Sequence, residues 1–284
     1  MTIMSDKRTA TDATPSAGWL TKLKTMPNES AAKMLTVTVS LCFVCSVIVS
    51  GVAVTLRPLQ AANKALEKNR VILQAAGLLD EEKTGDIQAL FDELVEVRVV
   101  DLDTGLYIDM PDPKTHDQRK AAKDPTQNYP IPDERDVAKI KQRAQQASVY
   151  LVQREGELQN LILPVHGYGL WSTMYGFLAL ESDINTVAGL SFYEHAETPG
   201  LGGEIDNPKW RARWAGKFAH NEHGSPRLEV IKGRVDGSRE GAVHQVDGIA
   251  GATLTSKGVS NMMRYWLGEN GFGPYLVRLR ANSG

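Results

Sequence analysis

From Met34 to Leu56 the chain carries no charged residue and is dominated by Val, Leu and Ile. About 20 apolar residues span a bilayer as a helix, so residues 34–56 are predicted to form a single transmembrane helix. The run is too long, and starts too late, for a secretory signal, whose apolar core is about 7–15 residues. Residues 1–33 are polar without a sustained period and read as a cytoplasmic tail, with a short helix expected around Trp19–Met26. After the span, Pro58 to Leu79 is rich in helix-forming Ala, Leu, Lys, Glu and Gln and should end near Gly77. Ile87, Leu90, Phe91 and Leu94 share one face of a short helix over Asp86–Leu94. Residues 57–94 are thus expected to be a helical linker. Val95–Val99 alternates as a strand. Residues 103–132, rich in Asp, Pro, Lys and Thr, read as a long surface loop. Asp133–Ala147 reads as a helix following Pro132, with Val137, Ile140 and Ala144 inward.

From Ser148 the pattern turns to β. Val149–Val152, Leu158–Val165, Thr173–Leu180 and Thr186–Tyr193 are predicted strands joined by short turns, an antiparallel meander. Asn207–Trp214 is a helix candidate and Leu228–Ile231 a last strand, with a polar loop over Arg234–Gln245. Val259, Met262, Met263, Trp266 and Leu267 then recur at helical spacing. The predicted fold class is α+β, a twisted antiparallel sheet packed by helices, occupying residues 95–284.

Composition narrows the function. The formal net charge is −2 over 284 residues, which disfavours nucleic acid as a partner. Both cysteines, Cys42 and Cys45, lie inside the apolar run, where they read as small buried thiols. With six scattered histidines and no ligand spacing, no metal site is expected. Lys22, Lys24 and Lys33 precede the span, and Arg57, Lys64, Lys68 and Arg70 follow it, so basic residues alone do not orient it.

The chemistry concentrates in Asp247-Gly248-Ile249-Ala250-Gly251-Ala252-Thr253-Leu254-Thr255-Ser256, just ahead of the helical pattern. Small residues let a ligand approach the backbone, and a helix start offers unpaired N–H groups and a positive dipole end to a phosphate. A small-residue helix start packed on a sheet fits the spacing equally well. No Gly-x4-Gly-Lys-Ser/Thr is present, which disfavours a nucleotide triphosphatase. Glu194–Gly203 holds Pro199 and three glycines, so it can lay backbone groups against a flat ring or simply turn. Lys257, one turn after Thr253, and Lys232 are the cations nearest in sequence. An aromatic at Trp171 or Tyr168 could edge a ring or close the core.

Asp-Gly-Ile-Ala-Gly-Ala-Thr resembles the flavinylation motif of FMN-binding domains, with Ala250 where that family usually has Ser or Thr. Glu197-Thr198-Pro199-Gly200-Leu201-Gly202 is similar to a second signature of that domain. Together with Leu163-Pro164-Val165-His166-Gly167 and Trp266-Leu267-Gly268-x4-Gly273-Pro274, the resemblance is to the C-type subunits of Na+-translocating NADH:quinone reductases. The G-type subunits of the related Rnf complexes share the flavin motif. The resemblance implies FMN joined covalently through its phosphate to Thr253, an anchor rather than a catalytic group. It implies cofactor contacts at Asp247, Gly251, Ala252, Leu254 and Thr255, at Thr198, Gly200, Leu201 and Gly202, and at Trp171, with Lys232 and Lys257 as cation candidates. It further implies an electron carrier whose large domain is periplasmic and whose partners are the B, D, E and F-type subunits, matured by a flavin transferase. A membrane-anchored module that binds a phosphate ligand without redox chemistry is the competing class.

Overall fold

A computed structural model describes residues 30–79 and 86–282, together with Gly18 and Pro27. The expected short helix at Trp19–Met26 lies outside the described residues. The chain divides into two compact units, Met1–Ala62 and Asn63–Gly284. In the first, helix α1 begins at Ala31 and continues to Ala75 in the second. It is long and apolar enough to cross a membrane, with mean hydropathy 2.4 over its most apolar window. Its Val, Leu and Phe side chains from Met34 to Leu56 are exposed, as suits a surface facing acyl chains rather than water.

In the second unit, α1 ends at Ala75, two residues before Gly77, whose φ of 68° provides the left-handed exit. Helix α2 (Ile87–Leu94) starts at Asp86, whose carboxylate accepts from the Gln88 and Ala89 amides. The chain passes directly into β1 (Val95–Asp101), followed by β2 (Tyr107–Ile108), the one-turn helix α3 (Gln118–Ala121), β3 (Asn128–Pro130) and β4 (Gln142–Ala144). The long strands are β5 (Gln146–Arg154), β6 (Glu157–Tyr168), β7 (Thr173–Glu181) and β8 (Val187–Glu194). Then come the one-turn helix α4 (Pro208–Arg211), the short parallel pair β9 (Glu229–Val230) and β10 (Gln245–Val246), helix α5 (Thr253–Leu267) and helix α6 (Gly273–Asn282). The main sheet runs β2-β1-β5-β6-β7-β8 with every pairing antiparallel.

Alternation in the strands divides two cores. Leu161, Leu163 and Val165 face Val259, Met262, Met263 and Trp266 of α5. Tyr150, Ile162 and Phe177 face Val71, Ile72 and Leu73 at the end of α1, and Phe91 of α2. The α5 contact is unusually close. A Cβ on Gly258 would stand 2.5 Å from the Tyr168 carbonyl oxygen, and one on Gly167 would stand 2.8 Å from Cβ of Met262. Trp266 Nε1 donates to the His166 carbonyl at 2.6 Å, fixing the helix along β6. The glycines therefore set how near the start of α5 lies to the loop after β6.

Three expectations change. Asp133–Ala147 is not a helix: the Asp136 carboxylate accepts from the Ile140 and Lys141 amides, Lys139 and Lys141 take φ of 54° and 65°, and β4 and β5 follow. Local side-chain bonding outcompetes a helix there. Arg143 is buried and paired with Asp103, a long-range contact that no local period shows. The supposed loop 103–132 contains β2, α3 and β3. The helix expected for Asn207–Trp214 is one turn, started by an Asn207 side-chain cap and Pro208; buried Trp210 and Trp214 belong to the core rather than to a helix face.

His220 ties α6 to the sheet. Arg280 Nη2 donates to the Ile184 carbonyl at 2.9 Å and to His220 Nδ1 at 2.8 Å, so Nε2 carries the proton donated to Leu267 O at 3.1 Å. Burial, then Arg280, push the imidazole down to about 4. Its ordinary value is about 6.5. The unfolded chain therefore binds the extra proton first, and the stability held by neutral His220 is complete above about pH 6.5 and lost as pH falls toward about 4. His166, pushed down to about 3 by burial and then by Arg119, acts in the same direction; His195, raised by its bond to Asp206, acts oppositely. Denaturant unfolding at pH 5 is expected to give about 2 kcal/mol less stability from His220 than at pH 7.5. His220→Gln should remove that part of the difference and leave the part due to His166; an unchanged slope in the variant would assign it elsewhere.

Candidate functional site

The first turn of α5 is unusual in having no side-chain cap: Ala252 precedes it, and no side chain accepts from its opening amides. Its N–H groups and positive dipole end are left available to an anion. Thr253 and Leu254 are exposed there, whereas Ala252 and Thr255 are buried. Gly251, at φ 73°, turns the chain into the helix. Ala250 is exposed and lines the same surface as Thr253.

Thr253 lines a groove of ≈ 660 Å³ together with Arg213, Lys232, Arg234, Lys257 and Arg264. Glu229 is the one carboxylate in that lining. Lys232 is brought here because Gly248 lies directly against the Ile231 carbonyl, and its amide donates to Gly233 O at 2.8 Å. Sequence spacing singled out Lys232 and Lys257. It missed three arginines: Arg213 and Arg234 come from separate segments with no local signature, whereas Arg264 follows Lys257 two turns along α5, a spacing that could have shown it.

Asp247 is turned inward. One oxygen accepts from the Val235 amide at 2.7 Å, the other pairs with Arg213 at 2.7 Å, and its carbonyl accepts from Trp210 Nε1 at 2.9 Å. In this arrangement it fixes the Arg234–Val235 segment of the groove and aims Arg213 rather than presenting a free carboxylate.

On the other side of Thr253 lies the loop after β8. Glu197, only 5 % exposed, accepts from the Leu170 amide at 2.9 Å, the Trp171 amide at 3.1 Å and Thr255 Oγ1 at 2.5 Å. One carboxylate thus joins the loop after β6, the loop after β8 and the start of α5. Space is cut to fit: a Cβ at Gly202 would meet Thr255 Oγ1 at 2.5 Å and Glu197 Oε2 at 2.7 Å. Trp171 Nε1 donates to Thr198 Oγ1 at 3.1 Å, and Leu201 abuts Gly251. The result is an apolar ledge made by Trp171, Leu201 and Leu254, respectively 64 %, 46 % and 58 % exposed. Gly200, at φ 75°, turns the loop behind Leu201. Large exposed apolar side chains gathered beside a cationic groove mark a binding surface. Glu197 was not among the expected contacts; its place beside Thr198 in the loop run was the available hint. Among the described residues, no group of three or more His, Cys, Asp or Glu could hold a metal.

The groove and ledge suit a ligand with a phosphate at one end and a flat apolar ring at the other. Residues 169–268, which include both, match the model of the FMN-binding domain. The C-type subunit of the Na(+)-translocating NADH-quinone reductase of Pseudomonas aeruginosa is 52 % identical over 253 residues, spanning 89 % of this chain and 97 % of that protein. Its counterpart in Vibrio vulnificus is 48 % identical, with the same coverage. The crystal structure of Shewanella oneidensis NqrC superposes with a TM-score of 0.70 at 36 % identity, over 78 % of this chain and 99 % of that one. The crystal structure of the Parabacteroides distasonis counterpart gives 0.60 at 29 % identity, over 78 % and 96 %. The chain therefore belongs to the NqrC family, the C-type subunits of the Na(+)-translocating NADH-quinone reductase, and carries its FMN-binding domain.

Proposed function

We propose that the chain is the flavin-bearing electron carrier of a membrane-bound Na+-translocating NADH:quinone oxidoreductase, and that Thr253 holds FMN through a phosphoester. The observation that carries this reading is an exposed Thr253 hydroxyl at an uncapped helix start, between five basic side chains and an apolar ledge. The amides at the start of α5, with Lys232, Lys257 and Arg213, would neutralise the phosphodiester. Trp171, Leu201 and Leu254 would shield one face of the ring from water, and Gly251, Ala252 and Gly202 leave room beside them. Thr198 orients the Trp171 indole; Thr255 positions the loop through Glu197. When bound, FMN supplies the electron-accepting and electron-donating ring, and the protein supplies placement and electrostatics.

The helix of the first unit makes the chain a single-pass anchor. In this reading the flavin domain faces the periplasm of a bacterial inner membrane and meets the B, D, E and F-type subunits, after a flavin transferase has delivered the cofactor. Family membership favours this over the G-type subunit of an Rnf complex. The test is flavin fluorescence and intact mass of the denatured chain from cells containing the transferase. A fluorescent chain whose added FMN mass maps to the peptide bearing Thr253 is expected. A dark chain, from cells whose transferase labels another substrate, would leave a non-covalent, non-redox module as the reading.

A further inference from the structure

A second cavity lies on the opposite face of the sheet. On strands β5 to β8, Tyr150, Pro164, His166, Tyr175, Phe177 and Tyr193 floor a cavity of ≈ 860 Å³. Residues 164 and 166 alternate with Val165 and Gly167, which face α5, so this cavity opens away from the flavin groove. Its lining carries eight basic side chains against three carboxylates, in a chain whose net charge is −2.

Part of that charge is already used. Arg119 makes a two-pronged pair with Glu194 at 2.9 Å for each bond and stacks 3.8 Å from the centre of the Tyr175 ring. Lys114 is bonded to Asp92, and Lys120 to Asp117. Among the described residues, Lys64, Lys68, Lys123, Lys139 and Lys141 form no ion pair. Two of them are held at backbone angles that non-glycine residues rarely adopt, φ 54° at Lys139 and 65° at Lys141, with Asp136 clamping the loop. Gln118 lines the same cavity, with its Nε2 out of reach of solvent. An anionic group would neutralise the lysines left unpaired.

We propose that this cavity binds the phosphodiester headgroup of an anionic phospholipid. The lysines take the phosphate, and the half-buried Pro164 and Tyr193 take the glycerol and the first acyl carbons. A purely soluble phosphate would not call for that apolar floor. Lys64 and Lys68 also belong to α1, the helix that carries the uncharged run ending at Leu56.

The test uses the full flavin-loaded chain in neutral detergent, with phosphatidylglycerol or phosphatidylcholine of identical acyl chains titrated by native mass spectrometry. Phosphatidylglycerol is expected to bind at least about tenfold more tightly than phosphatidylcholine. The K123Q/K139Q/K141Q variant should lose at least about tenfold in that affinity while keeping its covalent flavin and circular dichroism. Equal binding of the two lipids, or undiminished binding by the variant, would mean lipid adhering to the apolar helix alone and would overturn the proposal. Full competition by glycerol 3-phosphate at the concentration of the lipid would assign the cavity to a soluble phosphate and overturn the lipid as occupant.

Discussion

Thr253→Val is expected to take covalently bound flavin from stoichiometric to none while leaving the protein folded. Val has the shape of Thr without the hydroxyl, and Thr253 is exposed in the first turn of α5. The stability change should stay within about 0.5 kcal/mol, as for surface substitutions generally. Thr255→Val is the informative contrast. Its hydroxyl is buried and bonded to Glu197, so its loss should lower stability by about 1–3 kcal/mol yet leave flavin attached. The two threonines are two residues apart, and their effects should separate completely. Denaturing-gel fluorescence reads attachment, and thermal unfolding of the same preparations reads stability. A fluorescent Thr253→Val chain would reject the phosphoester assignment; a dark Thr255→Val chain that unfolds normally would move the acceptor to Thr255.

What the sequence showed follows from the range over which each signal acts. The uncharged run at Met34–Leu56 and the short apolar stretches that became β5 to β8 announce themselves locally, because strands buried on both faces are continuously apolar runs bounded by turn residues. The same holds for α5, whose buried Val259, Met262, Met263 and Trp266 lie at helical spacing. The stretch from Asp133 to Ala147 misled because Val137, Ile140 and Ala144 mimic that spacing while Asp136 commits its carboxylate to two local amides. At the site, Thr253, Lys257 and the glycines stand in one run and were legible. Arg213 is brought in from α4's far side by Asp247, 34 residues later in sequence, and Glu197 reaches Thr255 across 58 residues. Contacts of that range leave no mark on local pattern.

Glu197→Leu is expected to damage the fold and the site together. The side chain is nearly isovolumetric but cannot accept a hydrogen bond, so the Leu170 and Trp171 amides and the Thr255 hydroxyl would all lose their partner. Each unsatisfied buried group costs about 1–3 kcal/mol, giving a loss of about 3 kcal/mol or more if the loops cannot reach water. At about 2–4 °C per kcal/mol for a domain of this size, Tm should fall by at least about 6 °C. Glu197→Gln separates hydrogen bonding from charge. Its amide oxygen can still accept from the two backbone amides and its NH2 can donate to Thr255, so the loss should be nearer 1–2 kcal/mol, about that of weakening charge-assisted bonds. Amide exchange makes the mechanism visible: Leu170 and Trp171 should lose protection in the Leu variant and largely keep it in the Gln variant. If both variants unfold like the native chain, Glu197 does not hold the three segments together, and the ledge at Trp171 and Leu201 must owe its position to the glycine contacts alone.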